Sequence, residues 1–190
     1  NPVIRGFHTE LETVYEEKNM SLTRDFRKAL EAMDATIFPD HPYGTQTVLG
    51  TQEHLKNPSI TNIKNYHKTY YVPNNMAICL SGDFDPDEMV TIIEKYFGQM
   101  QPNENLPQVD FKTTSKIESP VSKEVYGLEA ENIMIGWKYP GAGSDDALVA
   151  DAVDYILTNG SAGLIDLDLN QQQKVLGAQS MTYTRPDGGE

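Results

Sequence analysis

Residues 76–98, MAICLSGDFDPDEMVTIIEKYFG, spell out a strand, a turn and a helix in order. Met76, Ile78 and Leu80 sit in a short apolar run between Asn74-Asn75 and Gly82, the pattern of a short buried strand over 76–81. Gly82, Asp83 and Phe84 turn the chain. Asp85 is a natural N-cap, Pro86 suits the first helical position, and Glu88 completes a capping box. Met89, Ile92, Ile93, Tyr96 and Phe97 recur at helical spacing as an inner face, and Gly98 ends the helix. Cys79, the one cysteine of the chain, lies inside the apolar run and reads as a small core residue. With a single cysteine there is no disulfide framework and no thiolate metal site.

Working upstream, Asn57-Pro58-Ser59 opens a helix with Ile60, Ile63, Tyr66, His67 and Tyr70 facing inward. Residues 40–50, DHPYGTQTVLG, are punctuated by Pro and Gly and read as an irregular loop. Before it, Leu22, Phe26, Ala29, Leu30, Met33 and Ile37 form an amphipathic stripe that Ser21 or Thr23 can cap and that Pro39 stops. The first helix is FHTELETVYEEKN, residues 7–19. Glu10 and Glu17 are two helical turns apart, so their carboxylates fall almost on one line of its surface, with Val14 between them and Leu11 and Tyr15 alongside. Such a pair can bind a cation with one group and support it with the other. Equally, Glu10, Glu12, Glu16 and Glu17 can be a solvated acidic face.

Downstream of Gly98 the pattern dissolves into Pro, Asn, Gln, Lys, Ser and Thr, and 99–119 reads as an inter-domain linker. Then Val121, Lys123 and Val125 alternate, as do Ile133, Ile135, Trp137 and Tyr139. Ser144 caps a helix running to about Leu157, which Asn159-Gly160 terminate. Residues 164–172 suggest one more helix and 178–184 a last strand. Strands and helices are mixed without strict βαβ alternation, which places the chain in the α+β class.

The formal net charge of −13 argues against a nucleic-acid partner, because phosphate neutralisation needs clustered Lys and Arg. It is compatible with cations or basic peptides. At 38% hydrophobic and 23% charged residues the composition is that of a folded globular protein. No run approaches the length of a membrane span and no signal peptide is present. Because the chain starts at Asn1 without an initiator Met, it reads as a cut-out segment whose targeting signal would lie elsewhere. Bacterial cytoplasm and periplasm or cell envelope are both open.

Histidine ligation needs pairs at helical spacing, and His8, His41, His54 and His67 are scattered; no H-x-x-E-H or H-E-x-x-H is present. His8 and Glu12, four apart, can share a cation or form an ordinary surface pair. Asp83, Asp85, Asp87 and Glu94 occupy positions 1, 3, 5 and 12 of a calcium loop, but Glu88 stands where the sharp turn requires Gly. No P-loop, nucleophile elbow or dinucleotide fingerprint appears.

In combination these features resemble the pitrilysin/insulinase family of zinc metallopeptidases, the inverzincins. That family's pattern places H-x-x-E-H on one helix and, further along, a second helix with two glutamates seven apart. The run ELETVYEE, residues 10–17, matches the second helix. FPDHPYG (38–44) and VLGTQEHL (48–55) look like the family's following loop and turn. YHKTYYVPNNMAICLSGDFDPDEMVTIIEKYFG (66–98) resembles its most recognisable run. NIMIGWKYPGAGSDDALVADAVDYILTNGSAGLIDLDL (132–169) resembles the opening of its second, related domain.

The resemblance implies parts of two pitrilysin-like domains, each a mostly antiparallel sheet packed with helices. Residues 1–98 would be the later half of the first, 99–119 the linker, and 120–190 the opening of the second. It implies Zn2+ as cofactor of the parent protein, with Glu17 a zinc ligand and Glu10 its supporting carboxylate. The remaining ligands and the general-base glutamate lie outside this chain. The parent would be a zinc-dependent endopeptidase acting on peptides or unfolded segments through metal-activated water, and the isolated chain would be inactive and bind no zinc. A non-catalytic partner subunit, in a homo- or heterodimer of such halves, and an acidic calcium- or peptide-binding module are the alternatives. The linker reading carries its own test: limited proteolysis with mass spectrometry is expected to give the first interior cut within 99–119, and first cuts within 85–98 would contradict the boundary.

Overall fold

Asp85, Ser59 and Ser144 each start a helix by turning a side-chain oxygen onto amides that the first turn leaves unpaired. The Asp85 carboxylate accepts from the Asp87 and Glu88 amides at 2.9 and 3.0 Å. Ser59 Oγ accepts from Asn62 N at 3.2 Å and Ser144 Oγ from Ala147 N at 3.2 Å. These helices belong to a computed structural model that describes residues 4–108, 111 and 115–190. Its order is α1 (Phe7–Ser21), α2 (Asp25–Ile37), α3 (Pro42–Thr45), α4 (Gln52–Lys56), α5 (Ile60–Tyr70), α6 (Pro86–Phe97) and α7 (Asp145–Leu157). A π-helical turn at Asp166–Asn170 follows, then β1 (Thr184–Arg185) paired antiparallel to β2 (Gly188–Gly189).

One helix start differs from expectation. Neither Ser21 nor Thr23 caps α2: the N-cap is Arg24, without a side-chain bond, and Thr23 Oγ1 instead donates to Met20 O at 2.7 Å. The start of α2 is closed from far along the chain. Asp25 N donates to Glu129 Oε2 at 3.3 Å, and Glu129 N donates to Asp25 Oδ2 at 2.6 Å. That amide, then Lys28, holds the Asp25 carboxyl below the usual carboxylate range. Gly98 ends α6 as expected, at φ −63° in right-handed backbone. Within 40–50, expected to be irregular throughout, Pro42–Thr45 closes one helical turn, capped by His41 Nδ1, which accepts from Tyr43 N.

By contacts the chain divides into two units, Asn1–Tyr15 with Gln52–Asp110 and Glu16–Thr51 with Phe111–Glu190. In the first, Asn74 and Asn103 bond reciprocally at 2.9 and 3.0 Å, and Asn103 Nδ2 donates to Thr69 O. Val72 is buried there. In the second, Ile37, Phe38, His41 and Ala147 are buried, Phe38 with no exposure at all. The Arg185 guanidinium and the Lys138 ammonium lie 5.6 and 5.0 Å from the centre of its ring. A Cβ on Gly188 would stand 2.8 Å from that ring, and one on Gly44 2.3 Å from Phe38 O.

Helices are as the class requires, but the strand content is not. Among the described residues, β1 and β2 form the one sheet, extended by a bridge between Tyr139 and Gly189. Residues 76–81, 121–125 and 133–138 carry no ladder, and 178–184 contributes only Thr184 to a strand. Residues 76–81 are exposed, Cys79 with them, so neither the buried strand nor the core cysteine is found. Alternation assigns the faces of a strand; it does not supply the neighbour to which the strand's amides must bond. Of the expected linker, residues 109–110 and 112–114 lie outside the described residues, and the others carry no helix or strand.

One ion cluster ties the hairpin to α2. Arg185 Nη2 donates to Asp34 Oδ1 at 3.1 Å and to Glu190 Oε1 at 2.7 Å. Burial first, then the neighbouring Asp34, pushes the Glu190 carboxyl from 4.5 up to about 7. Folding therefore takes up a proton between those values, so this contribution to stability is complete below 4.5 and is lost as pH rises through 7. Urea denaturation of the chain is expected to show stability falling across that window, with a flatter profile for Glu190→Gln; identical slopes would contradict the assignment.

Candidate metal-ligating helix

Helix α1 is organised by two adjoining lines of residues. On one lie Leu11 and, two turns on, Lys18, with Tyr15 beside them. Leu11 and Tyr15 are half-buried, and the Lys56 ammonium stands 5.7 Å from the centre of the Tyr15 ring. Lys18 is the one buried residue of α1, 5% exposed. Its Nζ donates to Glu31 Oε1 of α2 at 3.0 Å and to Thr47 Oγ1 at 3.5 Å. Thr47 Oγ1 donates in turn to Gly50 O at 3.0 Å. An ammonium is tolerated at such burial only when it is paired in this way.

The second line holds Glu10, Val14 and Glu17. Seven residues at about 100° each bring Glu17 to within about 20° of Glu10 around the axis. Both carboxylates are exposed, and neither has a hydrogen-bond or ion-pair partner among the described residues. Glu12 and Glu16 are exposed as well, so burial does not single out the pair. What distinguishes Glu10 and Glu17 is their common line beside Lys18.

The histidines do not join them. His8 packs edge-on to the Phe7 ring at 5.8 Å and forms no ion pair with Glu12. His67 stacks on Tyr71 at 4.7 Å. His41, 1% exposed, is engaged in capping α3, with Nε2 at 3.5 Å from Asp187 Oδ2. Among the described residues no three His, Cys, Asp or Glu side chains gather to hold a metal ion. Glu17 thus offers one exposed anionic oxygen donor, and the described residues gather no metal-binding set around it. The calcium loop fails on geometry: Pro86–Phe97 is helical and Asp85 spends its carboxylate on the amides of that helix.

Sequence reasoning missed the buried Lys18, and with it the anchor beside Glu17. A signal was present, since Lys18 falls two turns beyond Leu11 on the packed line. It also missed His41 and Asp187, which lie 146 positions apart in the sequence and carry no local pattern. Near Asp187 an open groove of about 660 Å³ is lined by Ser115, Ile117, Trp137, Lys138 and Tyr139. Ser115 holds Asp40 through its amide and hydroxyl at 2.9 and 2.8 Å, and Lys138 donates to Ser115 O at 3.0 Å.

Comparison with known proteins places these features. The family described as "Peptidase M16 inactive domain" matches residues 59–186. An uncharacterized zinc protease of Mycobacterium leprae is 28% identical over 109 residues, 56% of this chain and 24% of the relative. The zinc protease PqqE of Helicobacter pylori is 24% identical over 160 residues, 78% of this chain and 34% of the relative. The crystal structure of a protease from Helicobacter pylori superposes with a TM-score of 0.78 at 19% identity, over 99% of this chain and 46% of that one. The chain therefore spans less than half the length of each. No helix among the described residues is long and apolar enough to cross a membrane.

Proposed function

We propose that this chain, which belongs to the peptidase M16 family, is part of a zinc-dependent endopeptidase of peptides or unfolded segments, to whose metal it contributes Glu17. The observation that carries this is the placement of Glu17 on an exposed line of α1, two turns from Glu10 and free of any described partner. Relatives that bear the name zinc protease support it. Zinc, when bound, supplies Lewis acidity for activating water and polarising a peptide carbonyl. Glu17 holds it through a carboxylate oxygen. Glu10 orients neighbouring groups by hydrogen bonding without ligating. The other ligands come from beyond residues 1–190, in a helix that carries H-x-x-E-H.

In this reading, residues 1–98 complete one domain, 99–119 connect, and 120–190 begin a related one. The extended segments 76–81, 121–125 and 133–139 are then strands of antiparallel sheets, paired by parts of the protein outside this chain. A second reading is favoured by the description of the matched family as an inactive domain. It makes the chain part of a non-catalytic half that pairs with an active one and shapes its substrate chamber. Zinc content separates the two: the full-length protein of the first reading holds zinc and cleaves peptides, and that of the second does neither alone.

Two outcomes follow. The isolated chain is expected to retain no near-stoichiometric zinc after dialysis, since one carboxylate cannot close a site that needs three protein ligands. In the full-length protein, Glu17→Gln is expected to abolish zinc retention and cleavage, and Glu10→Gln to weaken them by roughly 10- to 100-fold. Glu12→Gln and Glu16→Gln, about 140° and 100° around the helix from Glu17, should behave like wild type. Equal, mild effects at all four positions would sink the metal-site reading.

A further inference from the structure

Lys18 is the neighbour of Glu17 in sequence, yet the two side chains have opposite fates: one is buried and doubly bonded, the other exposed and without a partner among the described residues. Every other described residue of α1 is at most half-buried. Its apolar side chains are few and scattered among polar ones, so hydrophobic packing alone sets the rotation of this helix weakly. The Lys18 ammonium, by contrast, is held from two directions. Glu31 approaches from α2, and Thr47 from the loop after α3, itself fixed by its bond to Gly50 O.

We infer that Lys18, through Glu31, is the positioning residue that fixes the face on which α1 presents Glu17. This rests on the reading of Glu17 as a metal ligand given above. The magnitudes favour it. A helix with its side chains has a radius of about 5 to 6 Å, so a rotation of about 20° carries a side-chain tip about 2 Å. A metal ligand must sit within about 0.2 Å of its proper distance. A rotation of even that size on loss of the Lys18 anchor would displace Glu17 by about ten times what ligation tolerates, with the Glu17 carboxylate itself unaltered. Lys18 touches no metal in this account and acts only through the helix.

The test uses zinc affinity by chelator competition, on the full-length protein, at a temperature where circular dichroism finds every variant folded. Wild type, Glu17→Gln, Lys18→Met, Glu31→Gln and the exchanged pair Lys18→Glu with Glu31→Lys are compared. The expected result is loss of zinc in Glu17→Gln and affinity weaker by about 10- to 100-fold in Lys18→Met and Glu31→Gln. Recovery to within a few-fold of wild type is expected in the exchanged pair. A purely stabilising salt bridge would lower the melting temperature of the single variants and leave their zinc affinity as in wild type, and that outcome overturns the inference while Glu17 keeps its role. Wild-type affinity in Glu17→Gln overturns the metal reading itself. If Lys18→Met does not fold, Glu31→Gln and the exchanged pair still decide: no loss in the first, or no recovery in the second, rejects positioning by this pair.

Discussion

The ring of Phe38 is the constraint on which the larger of the two units depends. It has no solvent exposure, and its surroundings come from three separate stretches of chain, around Tyr43, Lys138 and Arg185. Tyr43 meets it edge-on at 5.5 Å, and Lys138 and Arg185 place cations over it. Each such contact contributes on the order of 1 kcal/mol at a partly desolvated site. Steric consequences spread from the ring and its carbonyl. Gly188 has no room for a Cβ beside the ring, and Gly44 none beside the Phe38 backbone. The hairpin glycine is thus required by the aromatic ring, and the glycine of α3 by the carbonyls of Phe38 and Asp34.

What the sequence made legible follows the range of the forces involved. Caps act over three residues, and Ser59, Asp85 and Ser144 were each found at their helix starts because the signal and the bond are both local. Thr23 was misread because its hydroxyl has a nearer acceptor, the Met20 carbonyl. Strands were legible only as faces. Ile133, Ile135 and Trp137 alternate with Met134, Gly136 and Lys138, and the second set is the more covered. Their pairing depends on neighbours that period-two alternation cannot name. Cys79, placed in a core by its apolar flanks, is exposed because that run has no neighbour covering it.

The candidate site divides the same way. The common line of Glu10 and Glu17 is a property of helical period alone, and it appears as expected on α1. Which face of that helix packs was not legible, since the buried residue is a lysine and composition counts lysines as surface. Glu31 and Thr47, 13 and 29 positions away, turn it into an interior residue. The family match begins at residue 59 and so takes in the capped helices α5, α6 and α7, while the carboxylate line lies before it. Family membership therefore rests on residues other than those that would bear metal.

The long reach of the hairpin's bonds has a bearing on how the chain is made. Arg185 meets Asp34 across 151 positions, and Glu129 closes the start of α2 across 104. A ribosome delivers Phe38 well before it delivers either partner. Through that interval α2 waits with its first turn open and the Phe38 ring without the two cations that later cover it. Non-local contacts of this kind are slow to form, and the waiting surface is exposed to wrong partners. Birth order thus leaves this unit to close only once Arg185 has emerged, with Asp85 and Ser59 able to nucleate their helices long before Phe38 is enclosed.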